Sequence, residues 1–305
     1  MGRGFSVDSL PLLYWLISSH KNGVSNMKNV IKLYKEPRRK ACDLFAAWPG
    51  IGNVALIVAR YIKDKLKAEE IGGIEPFDFF DPIGIMVKNN IIEAPQFPES
   101  KFYHWHNPKS DRDLVLFISD EQPSFKGYEL ASCVIDISQK LKVKRVYTCA
   151  AAIARIHHTE KPKVWGAATN QKLLEVLRKY DVILRGDIQI AGLNGLFLGV
   201  AKERGIEGIC LLGEVPMYTT RIPNPKASLA VVDVLAKILD IDINLSELAK
   251  LAKESDEEMK KLAAEAMEEF IDRYTKPVWP PEEEEVEEVE EEEEDNENGD
   301  EEENE

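Results

Sequence analysis

Short apolar runs alternate along the chain with segments whose apolar residues recur at helical spacing. Four runs have the length and composition of buried strands: 42–48, 113–120, 144–154 and 208–215. Five segments have apolar positions three and four residues apart and are predicted helices: 53–66, 126–141, 171–180, 194–204 and 225–239. This alternation indicates an α/β fold with a mainly parallel sheet flanked by helices on both faces.

One region departs from the alternation of strands and helices. In residues 84–95, Asn89 and Asn90 separate two apolar runs, which is typical of a tight hairpin. We therefore expect an antiparallel addition to the sheet within about 71–107.

Two capped helices are predicted at the end of the fold. Asn244 and Ser255 each begin a capping box, with a Glu three residues later. The second helix would carry an apolar stripe over 259–270, which packs either on its own domain or on another chain. The best interpretation is one α/β domain over residues 27–278.

The net charge of −15 is concentrated at one end of the chain. Residues 282–305 contain 18 Asp and Glu and no Lys or Arg, which leaves 36 acidic and 39 basic residues in 1–281. Such a segment cannot bury apolar area and repels itself, so 279–305 is predicted to be a disordered acidic tail that would repel nucleic acid. Residues 1–26 precede the regular pattern and are interpreted as an N-terminal extension or an overlong start.

The apolar runs are too short for a membrane protein. None approaches the roughly 20 residues that a spanning helix needs, and the run at 10–17 has neither the basic flank nor the cleavage site of a signal peptide. The cysteines lie in apolar runs without C-x-x-C spacing, so buried, reduced thiols of a cytoplasmic protein are expected at Cys42, Cys133, Cys149 and Cys210.

The segment G-I-G-N-V-A at 50–55 fits the glycine pattern of a dinucleotide site between a strand and a helix. Such a site needs an acidic residue at the end of the next strand. Glu69 and Glu70 fall at the right distance but are expected at a helix end, and Asp81 comes too late. A structural turn is the preferred interpretation, and a nucleotide site is the alternative.

Residues 190–206 contain four glycines. Gly192, Gly195 and Gly199 are three and four residues apart, which predicts one helical face free of side chains where the helix approaches a neighbour. No G-K-[ST] follows to hold a phosphate. Close packing is therefore preferred, and Gly205 is predicted to cap the helix C-terminus.

Polar residues at the carboxyl ends of predicted strands are the candidates for ligand binding. Asp120, Glu121 and Gln122 follow one strand, and Glu214 lies near the end of another. Paired carboxylates can act as acid and base, but no nucleophile–His pairing accompanies them. We therefore predict no catalytic residue and interpret these side chains as loop caps or interface contacts.

The histidines do not indicate a metal site. His104 and His106 share one face of a strand-like segment, and His157 is adjacent to His158. A metal would need a third or fourth ligand and orienting partners, and none is apparent. No metal and no cofactor are expected.

Four segments in order resemble the proteasome assembly chaperone family, and in particular its archaeal members: 46–62, 114–124, 186–216 and 224–239. The resemblance implies a fold similar to purine nucleoside phosphorylases without an established enzymatic activity. It also implies homo-oligomers that help proteasome α subunits assemble. The positions that match the family pattern are Gly50, Gly52, Asn53, Gly192, Asn194, Gly195 and Glu214.

One feature departs from that family. Some archaeal relatives end in a hydrophobic residue, a Tyr and any residue, and this tail docks between α subunits. The sequence here ends in Glu303, Asn304 and Glu305. Either the acidic tail substitutes electrostatically, or the protein binds differently or serves another client.

We therefore predict a cytoplasmic, non-catalytic, homo-oligomeric chaperone for proteasome α subunits or related protein clients, with no nucleic acid or membrane partner. The alternatives are a nucleotide-binding regulator and a small-molecule enzyme of nucleoside phosphorylase or hydrolase type, with Asp120, Glu121 and Glu214 lining a pocket above the sheet. The candidate pocket or interface residues are Gly50, Gly52, Asn53, Asp120, Glu121, Gln122, Asn194 and Glu214.

Overall fold

A computed structural model describes residues 30–35, 37, 41–82, 84–184 and 186–275. The predicted extension 1–26 and acidic tail 279–305 lie outside these residues. The chain divides into two compact units, the first ending at Glu265 and the second beginning at Ala266. Within the described part of the chain, no helix combines the length and the apolar character needed to cross a membrane.

The described residues of the first unit contain ten strands. They are β1 (Ile31–Leu33), β2 (Cys42–Ala47), β3 (Glu69–Ile74), β4 (Val87–Lys88), β5 (Ile91–Ile92), β6 (Ser100–Trp105), β7 (Asp113–Ser119), β8 (Val143–Ala154), β9 (Val164–Ala168) and β10 (Glu207–Pro216). Eight of them make one sheet in the order β1-β3-β6-β7-β2-β8-β10-β9. β4 and β5 pair separately as a hairpin, and both residues of its predicted turn, Asn89 and Asn90, have positive φ.

The centre of the large sheet is parallel and its edges are antiparallel. β7, β2, β8 and β10 run parallel to one another, whereas β1, β3, β6 and β9 are paired antiparallel. The prediction of a mainly parallel sheet is thus correct for the centre only. The antiparallel addition predicted within 71–107 is confirmed and extends to β1. All residues of β2 and β7 are buried, as expected for strands that are covered on both faces.

Six helices complete the described fold: α1 (Val54–Leu66), α2 (Gly127–Lys140), α3 (Gln171–Leu177), α4 (Leu193–Glu203), α5 (Pro225–Leu239) and α6 (Ser246–Thr275). α2 and α4 cover one face of the sheet, over a core that contains Trp48, Phe117 and Phe197. α1, α3, α5 and the first turns of α6 cover the other face, over Phe45 and Tyr147. The predicted α/β class with helices on both faces is confirmed.

Three helix ends show standard capping chemistry, and one of them is the predicted cap at Gly205. The side chain of Asn170 accepts a hydrogen bond from the Leu173 amide at 3.0 Å and begins α3, as expected for an N-cap. Pro225 occupies the first turn of α5, where a missing amide hydrogen costs nothing. Gly205 follows α4 with φ +72° and donates to the Lys202 carbonyl at 3.1 Å.

Two local predictions are wrong. Ser255 does not begin a helix, because α6 is continuous and the Ser255 hydroxyl donates to the Ala252 carbonyl inside it. Glu69 and Glu70 do not lie at a helix end. They begin β3, because Lys67 ends α1 in the left-handed conformation two residues earlier.

The four cysteines are fully buried, as predicted, in β2, α2, β8 and β10. Burial raises the pKa of Cys42, Cys133 and Cys210 to about 12. Burial also raises the pKa of Cys149 well above its ordinary value. Each thiol is therefore protonated at neutral pH and packs as an apolar side chain.

Candidate functional site

The carboxyl ends of β2, β7, β8 and β10 lie at one edge of the sheet, because these strands are parallel neighbours. The loops that follow β2 and β7 carry most of the predicted site residues. In open α/β sheets, this edge is where ligands usually bind. Ligand binding here depends on whether the polar groups of these loops are free or are hydrogen-bonded to one another.

Asn194 joins the start of α4 to the end of β2. Its side-chain carbonyl accepts a hydrogen bond from the Trp48 amide at 3.1 Å, and its side-chain amide donates to the Trp48 carbonyl at 3.1 Å. Asn194 is 2% exposed and Trp48 is fully buried. The side chain therefore satisfies two buried backbone groups that would otherwise be left without partners.

Gln122 makes a second connection between the same segments. Its side-chain amide donates to the Pro49 carbonyl, and its side-chain carbonyl accepts from the Leu193 amide at 2.8 Å. We call the set of Trp48, Pro49, Gln122, Leu193 and Asn194 the loop junction. It ties the ends of β2 and β7 to the first turn of α4.

Glycine is required at two turns beside the loop junction. Gly52 has φ +63° and its carbonyl accepts from the Asn224 amide at 2.8 Å, so the loop after β2 contacts the start of α5. Gly192 has φ +74°, and a Cβ there would lie 2.8 Å from the Gln122 side-chain oxygen. Both positions combine a left-handed backbone with a close neighbour, which only glycine tolerates without strain.

The predicted glycine face of α4 is only partly correct. A Cβ at Gly195 would overlap the Ile190 carbonyl oxygen, so this glycine does permit close packing. Gly192 precedes the helix and is its N-cap rather than part of its face. A Cβ at Gly199 would meet nothing within 4 Å. Spacing alone indicated a common face, but only one of the three glycines packs closely from within the helix.

Four of the backbone amides in these two loops donate hydrogen bonds within the protein. The Asn53 amide donates to the Gly50 carbonyl at 2.9 Å, and the Gly195 amide donates to the Gly192 carbonyl at 3.1 Å. The amides of Trp48 and Leu193 donate to the loop junction. The arrangement favours the structural-turn interpretation of 50–55 over the nucleotide site, because a phosphate would have to displace these bonds.

Asp120 and Glu121 lie beside the loop junction, in a cleft of about 780 Å³. Residues of the segments 78–82, 84–86, 96–98, 120–122 and 124–126 line this cleft. We call it the acidic cleft. Gln122 borders both the cleft and the junction. Asp120 also contacts α1 through an ion pair with Arg60 at 2.8 Å.

Glu214 lies elsewhere and does not line the acidic cleft. It is 6% exposed, and its carboxylate accepts from the Lys163 amide and the Trp165 indole, both at 2.9 Å. The acidic cleft is therefore not the pocket of Asp120, Glu121 and Glu214 that the alternative enzyme interpretation requires. Glu214 instead joins β10 to the beginning of β9.

His104 and His106 share one partner, the buried carboxylate of Asp113, with both nitrogen–oxygen distances at 2.9 Å. Burial alone would raise the pKa of Asp113, but the hydrogen bonds from the two histidines outweigh it and hold that pKa below its ordinary value. Among the described residues, no group of three or more His, Cys, Asp or Glu side chains is arranged to hold a metal ion.

The profile of the PAC2 family matches residues 44–263 of the chain, which include the loop junction, the acidic cleft and the parallel centre of the sheet except for the first two residues of β2.

The chain belongs to the PAC2 family.

Relatives of known sequence and structure agree with this assignment. MJ1210 of Methanocaldococcus jannaschii, an uncharacterised protein, is 30% identical over 245 residues, which cover 79% of this chain and 85% of that protein. The crystal structure of Pyrococcus furiosus PbaB, described as an archaeal proteasome activator, matches at 29% identity with a TM-score of 0.66, over 76% of this chain and 98% of PbaB. The family resemblance stated from the sequence is confirmed.

A more distant neighbour shares the fold. PbaA of Pyrococcus furiosus, described as an archaeal homologue of a proteasome-assembly chaperone, matches at 23% identity with a TM-score of 0.59, over 79% of this chain and 99% of PbaA. At this sequence identity, the likeness shows a shared fold only. The PAC2 fold therefore persists in solved structures whose sequences have diverged widely from this one.

Sequence reasoning missed an exposed apolar surface on this PAC2 fold. Ile91 and Ile92 on the hairpin are 69% and 68% exposed, and Phe125 beside the acidic cleft is 81% exposed. A signal was present, because adjacent isoleucines in a two-residue strand cannot both face a core. We call the exposed side chains Ile85, Met86, Val87, Ile91, Ile92 and Phe125 the apolar rim.

Sequence reasoning also missed a polar cluster after β8 and β10. His158 is 6% exposed, and the Tyr218 hydroxyl lies 3.0 Å from its Nδ1. Lys226 donates to the His158 carbonyl at 2.6 Å and to the Asp256 carboxylate at 2.9 Å. These groups are far apart in the sequence, so no local motif could have joined them. Their bonds attach α6 and the loop after β8 to the start of α5.

Proposed function

We propose that this PAC2 protein is a non-catalytic, homo-oligomeric assembly chaperone in the cytoplasm that binds proteasome α subunits or related protein clients. The likeness to Pyrococcus furiosus PbaB, which is 29% identical and described as an archaeal proteasome activator, supports a role beside the proteasome. A fold similar to that of purine nucleoside phosphorylases, without their enzymatic activity, is part of the same proposal.

The observation that carries the proposal is the apolar rim. Five of its members lie within residues 85–92 and are between 52% and 69% exposed. Contiguous apolar side chains at a surface are typical of protein–protein contacts. Beside them, the loop junction uses its own polar groups, which leaves protein binding as the function that this edge of the sheet supports best.

The test is association with purified proteasome α subunits, measured by native mass spectrometry and by the rate of ring formation. We expect a complex with the wild-type chain, and weaker complex formation after Ile91→Ser with Ile92→Ser. Leu251→Ser is the control, because Leu251 is likewise an exposed aliphatic residue, at 50%, but lies on α6. A wild-type chain that forms no complex and leaves ring formation unchanged would contradict the proposal.

Homo-oligomers are tested separately, by light scattering of the full chain. We expect a mass above that of one 34.5 kDa chain. The hairpin variants show whether the apolar rim serves contacts between copies or contacts with clients. A single-chain mass at micromolar concentration would remove self-association from the proposal and leave client binding to be judged by the first experiment.

A further inference from the structure

The floor of the acidic cleft is apolar. Phe79 and Phe80 line it and are only 9% and 7% exposed, so most of each side chain is packed into the fold. Phe97 also lines the cleft and contacts Phe77 with ring centroids 4.8 Å apart. The cleft therefore offers a fixed aromatic base to a partner side chain.

The rim of the acidic cleft carries an excess of negative charge. Within the described residues, the carboxylates of Asp78, Asp81 and Glu121 have no ion-pair partner, whereas Asp120 pairs with Arg60. The one ammonium of the cleft belongs to Lys126, which donates to the Asp78 backbone carbonyl at 2.7 Å and closes one end. A cation that entered the cleft would find unpaired carboxylates on both sides.

These two properties select the kind of partner. An apolar floor requires a partner with a large apolar side chain, and the three unpaired carboxylates require a positive charge close to it. A small anion, a nucleotide or nucleic acid would be repelled by the rim. The acidic segment 282–305 of this chain would be repelled as well.

We propose that the acidic cleft binds an extended protein segment in which a large apolar residue stands next to Lys or Arg. Phe125 would cover the bound side chain from one side, and Ile85 and Met86 from the other. The proposal rests on the proposed function only in that this chain works by binding proteins. It adds the chemistry of the segment that is bound and the place where it binds.

The test uses the full chain and three synthetic peptides of equal length, followed by fluorescence anisotropy. One alternates Phe or Leu with Lys, one alternates Phe or Leu with Glu, and one alternates Ser with Lys. We expect measurable affinity only for the first, because it alone has both an apolar side chain and a neighbouring cation. The affinity should fall with rising salt concentration, since the rim charges are exposed.

Two variants locate the binding. Replacing the three unpaired carboxylates (Asp78→Asn, Asp81→Asn and Glu121→Gln together) should weaken binding of the first peptide about tenfold at low salt. Phe125→Ser should weaken it about fivefold. The controls likewise neutralise three carboxylates and replace one exposed apolar side chain, but elsewhere in the chain: Glu301→Gln, Glu302→Gln and Glu303→Gln together, and Leu251→Ser. They should leave the affinity unchanged.

Contrary outcomes are distinct. Equal losses of affinity in the cleft and tail variants would show unspecific attraction of the basic peptide. Equal affinity for the Ser–Lys peptide would show that the apolar floor does not contribute to binding. Either result overturns the proposal. Circular dichroism of each variant checks that it remains folded. Because α subunits are absent from these titrations, a failure here leaves the proposed chaperone function to its own experiment.

Discussion

The loop junction and the acidic cleft are neighbours at the same edge of the sheet and share Gln122, yet they are built in opposite ways. In the loop junction, side-chain amides take up the backbone groups of the facing loop, and the turns beside it need glycine. In the acidic cleft, three carboxylates and several large apolar side chains remain exposed. Groups that have already found partners hold the fold together, and groups that have none are available to another molecule.

This comparison leads to a simple expectation. Substitutions in the loop junction should change the free energy of unfolding. They should affect binding only indirectly, by lowering the fraction of folded protein. Substitutions at the acidic cleft and the apolar rim should change binding and leave the free energy of unfolding nearly as it was.

The largest effect is expected from Gly195→Ala. The new Cβ would overlap the Ile190 carbonyl oxygen, and a backbone atom cannot rotate away, so we expect a loss of about 3 kcal/mol or more in the free energy of unfolding. Gly199→Ala is the control on the same helix. Its Cβ would enter open space, so a gain of about 0.5–1 kcal/mol is expected. Urea denaturation measures both, and equal changes would contradict the assigned packing.

Asn194→Ala should have the next largest effect. It leaves the buried amide and carbonyl of Trp48 without their partners, which costs about 2–3 kcal/mol. Gln122→Ala removes bonds at a half-buried site, where water can replace the side chain, so a smaller loss of about 1 kcal/mol is expected. A cost for Asn194→Ala no greater than that for Gln122→Ala would mean that the junction does not depend on Asn194.

A smaller, pH-dependent effect is expected at Asp113. Its pKa is lowered in the folded state by the hydrogen bonds from His104 and His106, against the opposing effect of burial. The stabilisation is therefore present above the unfolded-state pKa of about 3.9 and is lost as the pH falls through the lower folded-state value. Unfolding followed from pH 7 to pH 2 should show this loss in the wild type and not in Asp113→Asn. Parallel curves for the two proteins would contradict the assignment.

The smallest effect on stability is expected at the apolar rim. Phe125→Ser and Ile91→Ser change side chains that are 81% and 69% exposed, so each should alter the free energy of unfolding by less than about 0.5 kcal/mol. Thermal unfolding checks this directly. A loss of several kcal/mol would show that these side chains support the fold, and the contrast between cleft and junction would fail.

The fold was predictable where the signal is local. Asn170, Asn89 and Asn90 mark a helix start and a hairpin turn through chemistry that acts within a few residues. Pairing direction was not predictable in the same way, because the antiparallel placement of β9 beside β10 depends on contacts far apart in the sequence. Ser255 was misread because a serine within a helix can bond back into its own turn.

The candidate site was predictable only in part, for the same reason. Gly52 was identified from a glycine pattern, Gln122 from a strand end and Asn194 from the family resemblance. The structure places them in and beside one junction. Glu214 shares their strand-end position in the sequence but contacts Lys163 and Trp165. Phe79, Phe80 and Phe97 gave no signal, since a cleft arises from the spacing between segments rather than from any one of them.

The sealed cysteines have a practical consequence. A thiol-reactive dye at neutral pH cannot reach Cys42, Cys133, Cys149 or Cys210 while the native packing is intact. Each modification therefore requires the surrounding structure to open first, and its rate reports how often that happens. Mass spectrometry of slowly labelled wild-type protein would rank β2, α2, β8 and β10 by their opening frequency, without a single engineered residue.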